Sequence, residues 1–209
     1  MMDTKQKILE TAERLFGEQG YNATSLRQII TEASVNLAAI HYHFGSKEEL
    51  LDEMIQRKAK PVNEKRLAML DRIEAEAGDG PLAVEKVLES FMLPMSEAAD
   101  RNPEFVRLMG RMYAEGMMPA VLQRHFHQVI ARFLGAMRKA LPGLPENELL
   151  WRIHFMTGAM AHTMCGPPDF ALTLTEPLDF RGRVKRLVAF LCRGFYAPVP
   201  QYEKTEVNQ

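Results

Sequence analysis

The sequence predicts an all-α fold: an N-terminal three-helix bundle joined to a larger C-terminal helical domain, about nine helices in all. Three observations predict it. Apolar residues recur at i, i+3, i+4 and i+7 along almost the whole chain, and no segment alternates with period two. Proline and glycine fall in a few clusters that cut this pattern into helix-length pieces. A composition of 46% apolar and 25% charged residues suits a packed globular chain and excludes a disordered one.

The first helix carries Ile8, Leu9, Ala12, Leu15 and Phe16 on one face, with Asp3 as N-cap and Gly20 as its end. After a turn at residues 21–23, Thr24 or Ser25 caps a second helix with the stripe Leu26, Ile29, Ile30 and Ala33. Ser34, Val35 and Asn36 turn the chain into a third helix, Leu37 to His43, closed by Phe44 and Gly45. Ser46 and Glu49 form a capping box for a fourth helix, which continues through Leu50, Leu51, Met54 and Ile55. Pro61 is expected to kink or interrupt it. Beyond a loop at 77–81, five longer helices are predicted over 81–100, 103–115, 119–141, 146–165 and 179–196, separated chiefly by prolines. Residues 166–178 read as irregular. The domain limits that follow are 1–46 for the N-terminal bundle, 47–196 for the larger domain and 197–209 for a tail expected to be disordered.

Several function classes fall away. No apolar run is long enough to span a membrane, and the first residues lack the apolar core of a signal peptide. With only Cys165 and Cys192, no disulfide scaffold is available and a cytoplasmic location is expected. His125 and His127 stand at i and i+2, about 200° apart on a helix, a poor chelate. His162 and Cys165 at i and i+3 supply two ligands, too few for a site. No metal or other cofactor is expected. No Gly-rich phosphate loop occurs and no nucleophile with its base can be assembled, so the chain does not read as an enzyme.

Two short helices joined by a three-residue turn, with one helix ahead and a longer one behind, describe a helix-turn-helix unit. Such a unit lays its second helix in the DNA major groove. Ala38 and Ala39 keep the front of that helix slim, and His41, Tyr42 and His43 offer donors and aromatic faces. Ser46 and Lys47 stand at a helix N-terminus, which favours a phosphate. Periodicity alone leaves alternatives open. The same bundle could be purely structural in a small-molecule-binding protein or enzyme that never meets DNA.

Residues 16–20, 24–29 and the run Tyr42-His43-Phe44-Gly45-Ser46-Lys47-Glu48-Glu49-Leu50 together resemble the DNA-binding domain of the TetR family of transcriptional regulators. The resemblance covers about residues 5–55. It implies that Arg27 reaches a base or phosphate, and that Thr24 and Ser25 meet the DNA backbone. It also implies that Tyr42 and Lys47 contact phosphates, and that Leu37, Ala38, Ala39 and His41 read base edges. His43 and Ser46 complete the expected DNA-facing set. Two alanines at 38 and 39 depart from the commoner glycine or threonine there, and offer only methyl contacts.

For the larger domain the resemblance implies effector binding and dimerisation. Ten of the 14 methionines lie between Met92 and Met164, and methionine suits an adaptable apolar pocket. Phe105, Met109, Met112, Phe126, Phe133, Phe155 and Met156 are the candidate lining residues. Arg107, Arg111, Arg152 and His154 are candidate anchors for a carboxylate, Arg152 foremost. The alternative for each is a place in a methionine-rich core or on the surface. Leu149, Ile153, Met160 and Met164 on one helix, and Val184, Leu187 and Leu191 on another, are expected to pair with a second copy. Residues 148–159 and 36–40 also resemble a PsrA-like, fatty-acid-responsive branch of the family, which implies an acyl effector.

The function expected from this is a dimeric regulator, a repressor, that binds a palindromic operator and is released by a small apolar or acyl molecule. A regulator answering to a protein partner is the other reading. The net charge of −1 excludes a charge-driven coat protein but not a site-specific regulator: residues 24–47 carry Arg27 and Lys47 against Glu32 alone.

Overall fold

The computed structural model describes residues 3–165 and 179–200. Among them all regular structure is helical, in nine rods. These are α1 (Thr4–Gln19), α2 (Leu26–Ala33), α3 (Leu37–His43), α4 (Lys47–Ala77), α5 (Val84–Arg101) and α6 (Pro103–Ala114), followed by α7, α8 (Glu146–Cys165) and α9 (Phe180–Phe195). The rod α7 starts at Met118–Val121, passes through a π turn at Leu122–Phe126 and continues as His127–Ala140. The irregular stretch expected at 166–178, and the tail from 201 on, lie outside the described residues.

Local chemistry sets the helix starts. The Asp3 carboxylate accepts from the Lys5 amide, and Ser25 Oγ, not Thr24, accepts from the Gln28 amide. Asn36 Oδ1 accepts from the Ala39 amide at 2.9 Å. Ser46 Oγ accepts from the Glu49 amide at 3.0 Å. The returning half of that capping box is absent, because the Ser46 amide donates to the Phe44 carbonyl instead. Pro61 does not interrupt α4 as expected. Proline removes one helical donor, and here the residue is exposed, where water can take the freed carbonyl of Arg57.

The apolar stripe of α1 is the centre of the N-terminal head. Ile8, Leu15 and Phe16 are buried with Ile29 of α2, Ile40 of α3, and Leu50, Met54 and Ile55 of α4. The head is fastened to the body chiefly through α6. A Cβ on Gly17 of α1 would stand 2.8 Å from Glu104 Cβ and 2.9 Å from its carbonyl oxygen, so only glycine permits this crossing. Arg111 Nη1 of α6 donates to the Glu18 carbonyl at 2.8 Å, and Asn22 Nδ2 donates to Glu115 Oε2 at 3.0 Å.

A second close crossing joins α6 to α8. A Cβ on Gly110 would meet Cys165 Sγ at 2.9 Å and the Cys165 amide nitrogen at 3.0 Å. Backbone cannot yield as a side-chain tip does, so Gly110→Ala should cost about 1–3 kcal/mol, the usual scale of overpacking. The midpoint of thermal unfolding reports it, and an unchanged midpoint would contradict the packing described.

Candidate functional site

The helix α3 is short, capped at Asn36, and held from behind by Ile40, which is fully buried. Its other face is open. Leu37, Ala38, His41 and Tyr42 are exposed, and Tyr42 keeps 86% of its surface. An exposed leucine and tyrosine on one face of a seven-residue helix contribute little to folding and are suited to a partner. His41 Nδ1 lies 3.0 Å from the Gly45 carbonyl. A carbonyl only accepts, so Nδ1 carries the hydrogen, and in the neutral ring Nε2 is then an acceptor. That atom matches cytosine N4 or adenine N6 rather than guanine. His43 is half-buried, its ring 5.1 Å from that of Tyr42. Ala39 is half-buried as well.

Of the other residues expected at DNA, Arg27 and Ser25 are exposed, and Arg27 makes no ion pair among the described residues. Two are placed inward. Thr24 is buried, and its hydroxyl donates to the carbonyls of Leu15 and Gly20, which ties the end of α1. Lys47 Nζ donates to the Tyr21 carbonyl at 2.6 Å and lies 4.0 Å above the Tyr21 ring. Burial pushes its pKa down. Tyr21 in turn donates to Glu48 Oε1, and burial raises the Tyr21 hydroxyl to about 12. Thr24 and the Lys47 ammonium thus brace the head from inside. What reaches outward beside Lys47 is the amide end of α4, with Ser46 as its cap.

The body holds an apolar cavity of about 80 Å³ among α4, α5, α6, α7 and α8. Phe105, Met109 and Phe126, three of the candidate lining residues, stand in its wall. Met160 and Met164 line it too, although both were expected at a dimer interface. With Met95 and Met118, five of the ten clustered methionines face this space. Ligand pockets usually measure roughly 300–1,000 Å³, so an occupant requires these side chains to move aside. Methionine does so at low cost.

The other expected lining residues lie elsewhere. Met112 and Met156 are buried in the core, away from the cavity wall. Phe133 stands behind the wall, its ring 4.6 Å from that of Phe91, which does line the cavity. Phe155 points outward. Arg152 is no anchor: its Nε donates to Glu148, and Nη1 and Nη2 donate to the carbonyls of Phe195 and Ala197. These bonds close the C-terminal end of α9 and leave the group committed. Arg107 pairs with Glu104, and Arg111 holds α1.

Sequence reasoning missed the contribution of α4 and α5 to the cavity entirely. Ala59, Val62 and Arg66 continue the apolar stripe of Leu51 and Ile55 at helical spacing, so a charge interrupting that stripe was the available signal. Arg66 Nε donates to the Phe91 carbonyl at 2.7 Å and Nη1 donates to Asn63 Oδ1 at 3.1 Å. Asn63 Nδ2 donates to the His125 carbonyl in the π turn. His125 Nε2 and Arg124 Nη1 both donate to Asp52 Oδ1. Burial works to raise the Asp52 carboxyl, but these two donors outweigh it and hold it below the ordinary carboxylate range.

Of the expected pairing residues, Leu149, Val184 and Leu191 are buried in the chain's own core and cannot face a second copy without unfolding it. Ile153 and Leu187 pack at the core margin. The outward face of α8 instead presents Leu150, Trp151 and Phe155, and α9 presents Phe190. Trp151 and Phe155 stack with centroids 5.9 Å apart.

Among the described residues no group of three or more His, Cys, Asp or Glu is placed to hold a metal ion, and no helix is long and apolar enough to cross a membrane. Cys165 and Cys192 are free thiols.

A capped recognition helix on a three-helix head, set on a helical body, defines a helix-turn-helix DNA-binding protein. Residues 8–54 match the bacterial regulatory proteins of the tetR family, and residues 88–194 match the tetracyclin repressor-like C-terminal domain. The chain belongs to the TetR family of transcriptional regulators. It is similar to the HTH-type transcriptional regulator AcrR of Shigella flexneri, 31% identical over 48% of this chain and 45% of that protein. It is also similar to the HTH-type transcriptional repressor KstR2 of Mycobacterium tuberculosis, 38% identical over 24% of this chain and 25% of that protein. The chain spans less than half the length of these sequence relatives. The solved structure of KstR2 shares the fold, with a TM-score of 0.65 at 16% identity over 93% of this chain and 95% of that one. A tetR family regulator from Shewanella sp. PV-4 does likewise, with a TM-score of 0.64 at 19% identity over 92% and 98%.

Proposed function

We propose that this regulator binds a two-fold symmetric operator as a homodimer, represses from it, and is released when a small apolar or acyl molecule enters the cavity. Residues 1–46 form the reading head and 47–196 the sensing and pairing body. The observation that carries this reading is the presence of an outward-facing α3 and an apolar cavity in one chain, with two helices that touch both the cavity and the head that carries α3. On α3, Leu37, Ala38, Ala39, His41 and Tyr42 face the major groove, with Arg27, Ser25, His43 and the Ser46 end of α4 at the backbone. The outer faces of α8 and α9 meet those of the second copy. The acyl character of the effector rests on the PsrA-like residues 36–40 and 148–159 and on the methionine lining.

Two routes connect cavity and head. One is α6, which lines the cavity with Phe105 and Met109 and holds α1 through Arg111. The other is α4, which carries Ala59, Val62 and Arg66 at the cavity and Asp52 under the π turn. An occupant too large for the closed cavity displaces Met109 and Phe126, and with them α6 and the π turn. It releases DNA only to the extent that it binds the displaced state better. Arg111→Ala removes one fastening without touching α3 or the cavity wall. It should therefore blunt release by effector severalfold while changing operator affinity less, measured as DNA binding with and without ligand. An equal loss of both contradicts the route through α6.

The reading as a whole is tested by a gel shift on the promoter DNA flanking the protein's own gene, at several salt concentrations. Specific, salt-dependent binding supports it. Absence of salt-dependent binding to any sequence overturns it.

A further inference from the structure

Arg66 is a cation placed where a cation is costly. Its side chain is buried to 6% exposure within a cavity wall that is otherwise almost wholly apolar. Its partners, the Phe91 carbonyl and Asn63 Oδ1, are both neutral. Its guanidinium carbon lies 4.2 Å from the centre of the Phe91 ring. Among the described residues it has no carboxylate partner, and its Nη2 makes no hydrogen bond. Burial alone pushes its pKa down to about 10. An unanswered buried charge is among the more expensive features a core can hold.

A structural role explains part of this. The Phe91 carbonyl lies in the turn that Pro94 loosens, and Arg66 Nε supplies a donor to it. A neutral donor would serve that role equally well, so it explains neither the charge nor the spare Nη2 edge. Both are explained by an anion that arrives from outside.

We infer that the cavity takes an amphiphile with one anionic headgroup, a carboxylate, that pairs with Arg66 while its apolar body lies among Met109, Phe126 and Met160. The inference rests on the proposed function only in treating the cavity as the effector site. A guanidinium and a carboxylate form charge-assisted hydrogen bonds in a fork geometry. An alcohol, amide or ester can accept from Nη2 but leaves the charge unneutralised. Among the described residues one cation lines the cavity, so one negative charge balances it.

The experiment titrates full-length protein by calorimetry with straight-chain carboxylates from butanoate to tetradecanoate, and with the 1-alkanols of the same lengths. Wild type should prefer the carboxylate over its alcohol by roughly 10- to 100-fold, the scale of a hydrogen bond to a charged group. In Arg66→Met that preference should vanish while alcohol binding persists, which shows the cavity intact. Arg66→Gln keeps a neutral donor for the Phe91 carbonyl, and should lose the preference too. It serves alone if the methionine variant does not fold. Equal affinity for acid and alcohol, a preference that survives in both variants, or no binding by any carboxylate overturns the inference. A gel shift on the same samples separates the two readings. DNA binding released only by neutral ligands defeats the inference and spares the regulator. Carboxylate binding through Arg66 by a protein that never binds DNA does the reverse.

Discussion

Tyr42→Ala should abolish high-affinity operator binding while leaving thermal unfolding unchanged. With 86% of its surface exposed, Tyr42 makes almost no contribution to the core that its removal could cost. In the proposed complex each head loses one contact worth about 1–3 kcal/mol, and a two-headed complex loses it twice, about 2–6 kcal/mol in all. Tyr42→Phe divides the loss between hydroxyl and ring. If the hydroxyl donates to a phosphate, phenylalanine behaves like alanine; if the ring packs on the sugar-phosphate edge, phenylalanine keeps most of the affinity. Arg27→Ala is the matching electrostatic control. One phosphate contact per head removed from a dimer should reduce the salt slope of log K by about 2. Wild-type affinity in Tyr42→Ala would mean that α3 does not enter the groove by this face.

His41 adds a statement about sequence to one about affinity. Its hydrogen bond to the Gly45 carbonyl commits Nδ1 as donor, so in the neutral ring Nε2 can only accept, and in the proposed complex the base facing it would supply the hydrogen. Beside it, Ala38 and the partly covered Ala39 present only methyl groups. Such a face reads thymine methyls and the amino groups of cytosine or adenine more readily than the acceptor edge of guanine.

The parts of this fold that were legible in the sequence are those decided within one helical turn. Ser25, one of two candidate caps, and Ser46 cap their helices because an oxygen three residues before an unpaired amide is a local matter. The stripe of Ile8, Leu15 and Phe16 is buried because α1 has only one apolar face. On α8 the same rule fails. Leu149, Met156 and Met160 form one apolar stripe and Leu150, Trp151 and Phe155 another, so periodicity cannot say which turns inward. The expected dimer face was therefore assigned to the side that the core takes. The π turn was equally invisible, because Asn63 and Asp52, which hold it, are some sixty to seventy residues away in sequence. Thr24 and Lys47 illustrate a third case. Their residue types suit a phosphate, but carbonyls of Leu15 and Tyr21, brought near by the fold, take their hydrogens first.

Phe155→Glu should convert the proposed dimer to a monomer, and the reason lies in the same two-faced helix. Trp151, Phe155 and Phe190 keep 58%, 63% and 71% of their surface exposed in the single chain. Large stacked aromatics left in water are the usual mark of an interface centre. Burying a Phe side chain is worth about 1.5–3 kcal/mol, and in a two-fold interface each residue is buried twice. A glutamate at 155 removes both contributions and places a carboxylate in each apolar contact, which costs the desolvation of that charge. The side chain is exposed in the monomer, so the fold itself should be unaffected, and sedimentation or light scattering should report a folded monomer. Operator binding should fall in step, by roughly 10²–10⁴-fold, because two tethered heads become two independent ones. A half-site bound equally well by variant and wild type would complete the case, since it locates the loss in the tether rather than in α3. A variant that stays dimeric would remove this face of α8 from the interface and, with it, the assignment of Trp151 and Phe155.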